Sequence, residues 1–223
     1  MLKFTNMFFV LFALSLASSA HASPITGTNS GQATRYDVTI TKVELCQSAT
    51  CTAPFVLGSS SKVFDIASAS VGEEVGKFID LQGIPLFQTW SHVRVTMSTS
   101  FVISGDDGTC KTNGGSGARG AFLAGAASGG AVLPATMQLP NQATVQAVPG
   151  LGGFDYSTYG ITQTDGASQF TMTIALASPY TCKGELPRID VKFDTSQAFG
   201  HGGGACTVTF PQPPTVTITA EDP

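Results

Sequence analysis

The groupings able to do chemistry in this chain are few, and each arrives without its usual partners. His201-Gly202-Gly203-Gly204 has the make-up of a loop that turns backbone amides toward a developing oxyanion, glycine letting the N–H groups come close. An esterase would also need a nucleophile elbow downstream of that loop, yet no G-x-S-x-G occurs and the loop lies near the chain end. The run reads as a connector. Gly115-Ser116-Gly117-Ala118-Arg119-Gly120 fits the G-x-G-x-x-G dinucleotide pattern, but no strand leads into it and no βαβ unit surrounds it. Glycine-rich composition accounts for the match. Beyond the first residues the histidines are His92 and His201, too few for a histidine-based acid–base relay, and no catalytic residue is assigned.

Asp106, Asp107, Asp155, Asp165, Asp190 and Asp194 would suit calcium if loops gathered them, but the D-x-D-x-D-G spacing is absent and Asp-Gly pairs are turn formers first. No C-x-x-C or Cys/His cluster has zinc spacing, so neither a metal nor a cofactor is expected. A sugar ligand would want aromatic faces in reach of solvent. Trp90, Tyr156 and Tyr159 are the candidates for such a platform, with Tyr180 as a further aromatic; F-D-Y-S-T-Y at 154–159 is the aromatic–polar cluster off the core strands. The plainer expectation is that aromatics near turns cap a core.

The five cysteines are best used as disulfides if the chain leaves the reducing interior of the cell. Cys46 and Cys51 flank the polar turn Q-S-A-T and are expected to bridge it, which would contribute roughly 2 kcal/mol on the chain-entropy account. Cys110 and Cys182 each end a strand-like segment and are the preferred second pair, worth about 4 kcal/mol, leaving Cys206 unpaired or available to another chain.

Residues 1–22 support the oxidising compartment: Lys3 precedes an apolar run at 7–16, and Ala20-His21-Ala22 offers small residues where a signal peptidase reads them. That run is too short to span a bilayer, which takes roughly 20 apolar residues. The expected mature chain starts at Ser23 and is secreted, periplasmic or at the cell surface, without a membrane span. The net charge is −4, and losing Lys3 makes it one unit more negative; with 12% charged residues there is no basic field for nucleic acid. With 42% apolar residues, a single core is well supplied.

The elements that must position these residues read as strands. In residues 90–103, Val93, Val95, Met97, Phe101 and Ile103 alternate with His92, Arg94, Thr96, Ser98 and Ser100, the period of a strand with one buried face. Fully extended it would reach roughly 45 Å, so a bend or bulge is expected near residues 98–100. Tyr36, Val38 and Ile40 share one parity while Val43 and Leu45 take the other, which predicts a bulge at Thr41-Lys42. Short strands follow at 55–57 and 63–66, with an uncertain helical turn at 70–75, where glycine works against it. Further alternation appears at 170–177, 188–194, 207–210 and 215–219, the last two separated by Pro211-Gln212-Pro213-Pro214. The 25 glycines concentrate in an insertion around 105–165, Gly/Ala-rich at 113–130, with possible edge strands at 136–139 and 143–148. The fold expected is an all-β antiparallel sandwich: a polar, mobile arm at 23–34, then a single domain at 35–223.

Y-D-V-T-I-T-K-V-E-L-C at 36–46, V-F-D-I-A-S at 63–68, W-S-H-V-R-V-T-M at 90–97 and I-D-V-K-F-D-T-S-Q-A-F at 189–199, closed by P-P-T-V-T-I-T, resemble a family of secreted bacterial and archaeal domains of unknown function. The resemblance implies a prealbumin-like or carbohydrate-binding-like sandwich and transfers no catalytic residue. On this reading the chain is a non-catalytic cell-surface or extracellular interaction module with a protein or polysaccharide partner. The alternatives are a carbohydrate-binding module and a filament subunit using strand exchange, the tail at 215–219 being expected to close within its own domain.

Overall fold

The computed structural model describes residues 25, 28–68, 83–184, 187–202 and 206–222. The leader expected at 1–22 and the helical turn expected at 70–75 lie outside these residues.

The chain opens with the longest strand, β1 (Asn29–Cys46), then β2 (Phe55–Gly58), β3 (Lys62–Asp65), β4 (Thr89–Ser98) and β5 (Ser100–Asp106). β6 (Cys110–Lys111), β7 (Ala126–Ala127), β8 (Ala135–Gln138), helix α1 (Gln142–Gln146) and β9 (Ile161–Thr162) occupy the glycine-rich stretch. Then come β10 (Gln169–Thr181), β11 (Arg188–Asp194), β12 (Phe199–Gly202), β13 (Val208–Pro211) and β14 (Thr215–Glu221). The named strands pair antiparallel throughout. They form one large curled sheet and a two-stranded sheet, β11–β14, so the expected all-β sandwich-like class is the one observed.

β1 organises the large sheet. Its length pairs with β5 and then β4, while β3 and β2 follow one another antiparallel to it as well. The register to β4 shifts between Ile40 and Lys42, placing the bulge where the parity of the apolar residues changes. Tyr36, Val38, Ile40, Val43 and Leu45 are all buried as a result. β4 and β5 are a single run broken at Thr99, whose amide turns aside to Ser168 O at 3.0 Å; the bend falls at the expected place. Beyond this run the sheet continues through β10 and β8. β14 packs against β10 and buries Val216 and Ile218.

Three expectations need correction. The described part of the expected arm, residues 25 and 28–34, is held in the fold: β1 already begins at Asn29, where Asn29, Ser30 and Gly31 pair with β12. Ile25 is buried, its amide donating to Gln212 Oε1 at 3.0 Å. Residues 143–148 do not form an edge strand but supply α1, because Asp165 Oδ1 accepts the Gln142 amide at 3.0 Å and Val145 alone turns inward. Finally, Cys110 bonds to Cys206, not to Cys182. The strand ends at Cys110 and Cys206 meet across the β6 and β13 regions, while Cys182 is buried among core residues beside Tyr180. Cys46–Cys51 closes its turn as expected.

Candidate functional site

The described residues hold one fully buried acid–base pair, and its position follows from local turn chemistry. Asp106-Asp107-Gly108 makes the tight turn after β5: Asp106 Oδ1 accepts the Gly108 amide at 2.7 Å, and Asp107 Oδ1 accepts the amides of Thr109 at 2.9 Å and Cys110 at 2.7 Å. This turn docks directly on β1. A side chain at Gly31 would put a Cβ 2.3 Å from Asp107 Cα, so the approach requires glycine there. The remaining Asp107 oxygen, Oδ2, then accepts a hydrogen bond from His201 Nδ1 on β12.

His201 faces Asn29 across the β1–β12 register, and Asn29 Nδ2 lies 3.0 Å from His201 Nε2. Both ring nitrogens are thus engaged, Nδ1 by the carboxylate and Nε2 by the Asn29 side-chain amide. Burial acts to raise the Asp107 pKa, but the Cys110 amide, His201 and the Thr109 amide together outweigh it and hold the carboxyl below its ordinary value. An Asp–His pair of this kind orients a general base when a hydroxyl or thiol stands at Nε2. Here an amide nitrogen takes that place. The arrangement binds three segments, β1, the Asp107 turn and β12, into one unit.

The other sequence candidates are placed as follows. Trp90 and Tyr156 are buried, Tyr156 donating to Pro140 O at 2.8 Å, and Tyr159 stacks on Phe154 against the core. Trp90 and Tyr156 therefore have no face open to a sugar ring, while Tyr159 is half-buried. The aspartates act separately: Asp155 and Asp194 accept the amides of Ser157 and Ser196, Asp165 caps α1, and Asp190 pairs with Arg188. Among the described residues no three His, Cys, Asp or Glu side chains converge as a metal would require. His92 sits half-buried beside Ser91, and burial lowers its pKa.

Two further buried polar groups escaped the sequence reading. Lys111 carries its ammonium to the carbonyls of Gly129 and, at 2.8 Å, Ala131, clamping the glycine-rich loop. Gln212, inside the proline run, holds Ile25, Thr28 and Ala198 through its side chain and backbone, and Tyr36 donates to its carbonyl at 3.1 Å. The sequence signals glutamine between prolines as a linker; burial between sheets converts it to an anchor. No protein-family model, curated protein or solved structure matches the chain.

Proposed function

We propose that the chain is a non-catalytic interaction module, secreted, periplasmic or at the cell surface, that engages a partner protein by strand addition along β2–β3. The observation that carries this reading is the edge itself. β2 and β3 run end to end along β1, and among the described residues no strand pairs with them on their other side. Val56 and Val63, opposite Glu44 and Thr39, are 48% and 59% exposed on the outer face of this edge. A sheet edge beside exposed β-branched residues favours an incoming extended segment. The two disulfides support an oxidising compartment. The closed Asp107–His201–Asn29 chain supports a role without turnover, since its acid–base capacity is directed at another protein group.

Retention of the protein on envelopes of its source cells tests the reading, with V56K/V63K as the comparison. Lysines on an edge discourage pairing without touching the core, so the double variant should keep its thermal transition and lose retention. Equal retention of both proteins would refute the strand-edge reading.

A further inference from the structure

Among the described strands β11 pairs with β14 alone, and its other side is an edge. Arg188, Asp190, Lys192 and Asp194 alternate along it with Ile189, Val191 and Phe193, and the apolar three face inward. They are half-buried and border an apolar cleft together with Val95 and Met97 on β4, whereas Val216 and Ile218 on β14 are buried. Apolar surface is left uncovered along this edge. The outward charges are also poorly matched within the chain, because β14 sets Thr219, Thr217 and Thr215 opposite Asp190, Lys192 and Asp194, with Glu221 opposite Arg188. Arg188 reaches instead to Asp190 on its own strand, at 3.1 Å, and Lys192 takes part in none of the ion pairs among the described residues.

The charge pattern is complementary to itself. When two copies of β11 are laid antiparallel about a two-fold axis at Val191, Arg188 of each stands opposite Asp194 of the other, Asp190 opposite Lys192, Ile189 opposite Phe193, and Val191 opposite Val191. Every outward pair is then of opposite charge and every inward pair is apolar, the combinations that stabilise directly opposed residues. Neighbouring registers fail. An axis at Asp190 sets that residue against itself and Arg188 against Lys192, while an axis at Lys192 sets Lys192 against itself and Asp190 against Asp194. A slip of one residue opposes charged side chains to apolar ones. One register is thus favoured and the others are repelled.

We infer that β11 is a self-association edge, along which a second copy of the chain pairs antiparallel about Val191 and joins the two β11–β14 sheets into one. This edge is separate from β2–β3, so the inference does not rest on the strand addition proposed there. An edge of seven residues makes a small interface, and the dimer is accordingly reversible. Light scattering on the full chain, purified without reductant, over about 5 to 500 μM tests it. Wild type should show a monomer–dimer equilibrium. Lys192→Asp and Asp190→Lys each turn opposed pairs from attractive to repulsive, and each should weaken dimerisation by more than about tenfold. An equimolar mixture of the two variants should regain dimers, since each supplies the charge the other lacks, and the double variant D190K/K192D should dimerise by itself. Oxidation should link Val191→Cys into dimers faster than Lys192→Cys, although position 191 is the less exposed, because directly opposed residues lie within disulfide reach. The inference is overturned by a wild type that stays monomeric over this range, by single variants that dimerise as wild type does, by a mixture that stays monomeric, or by faster linkage at position 192. If Asp190→Lys fails to fold, Lys192→Asp against wild type and the two cysteine variants decide.

Discussion

Asp107 is the side chain on which most of the described polar contacts at this end of the fold converge. Removing it as Asp107→Ala strands the His201 Nδ1–H and two turn amides in a buried site, and about 3 kcal/mol of stability should go with it. Asn29→Ala, at an exposed position, should cost under about 1 kcal/mol; urea unfolding of both variants measures the difference. The same carboxylate sets a pH dependence. Asp107 and Glu44, the latter buried beside Arg94 and Lys42, both have folded pKa values below the ordinary one. For Glu44, burial opposes the shift and the hydrogen bonds to Arg94 and Lys42 overcome it. A depressed folded pKa means that the unfolded chain binds protons first, so this stability is complete above roughly pH 4 and is lost as pH falls through the folded values. The urea midpoint should therefore drop steeply below about pH 4, and less steeply in Asp107→Ala. None of this was readable from spacing. Asp107 announced itself as a turn residue, correctly, and His201 as part of a glycine run; their 94-residue separation is bridged by topology alone.

At the scale of the strand, alternation proved a sufficient guide wherever one face is buried. Val93, Phe101 and Ile103 turn inward, with Val95 and Met97 partly buried beside them and Trp90 buried at an even position, and the bulge at Thr41 follows from the change of parity in β1, because a residue too many must be accommodated before the apolar set can face the core again. Alternation does not tell how closely the facing layer packs. Val93 is 4% exposed while Val95, two positions on, borders the cleft. Val93→Asp should consequently yield no soluble protein, and Thr96→Asp should be tolerated within about 1 kcal/mol. Val95→Asp should fall between them, and soluble yield with thermal unfolding across the three variants orders the effects. Alternation also misled at Ala143, Val145 and Ala147. In so short a segment the Asp165 carboxylate, which accepts the Gln142 amide at the helix start, decides, and the result is α1.

At the scale of the molecule, the disulfides and the last strand determine which distant pieces stay together. Cys46–Cys51 was legible because its two ends are neighbours in sequence; Cys110–Cys206 spans 96 residues, and only the return of β13 to the glycine-rich stretch brings its ends together. Non-reducing peptide mapping should recover both bonds, with Cys182 in neither. Cys206→Ser should cost more than Cys46→Ser, roughly 4 to 5 against 2 kcal/mol, since the longer loop gains more freedom when released.

The last strand, β14, decides between a self-contained module and an assembling one. It pairs with β11 from Asp194–Thr215 to Arg188–Glu221, seats Val216 and Ile218 on β10, and ends at the Tyr180–Asp222 hydrogen bond. Among the described strands it is the partner β11 has, so its loss exposes the face of the large sheet that bears the cleft and frees β11 as well. A chain ending at Pro214 keeps Gln212 and its contacts, and so isolates the effect of β14. Two side chains worth about 2 to 3 kcal/mol each, together with the strand pairing, are a large fraction of the stability of one domain. The shortened chain should therefore lose its cooperative thermal transition and bind an apolar dye while remaining monomeric in dilute solution. Added T-V-T-I-T-A-E peptide should restore the transition by filling the vacated place, because the hydrogen-bonding edge of β11 does not distinguish a tethered strand from a free one. If the shortened chain instead keeps the transition and only an assembly of the full chain disappears, β14 serves a neighbouring molecule, and strand exchange between subunits replaces closure within one.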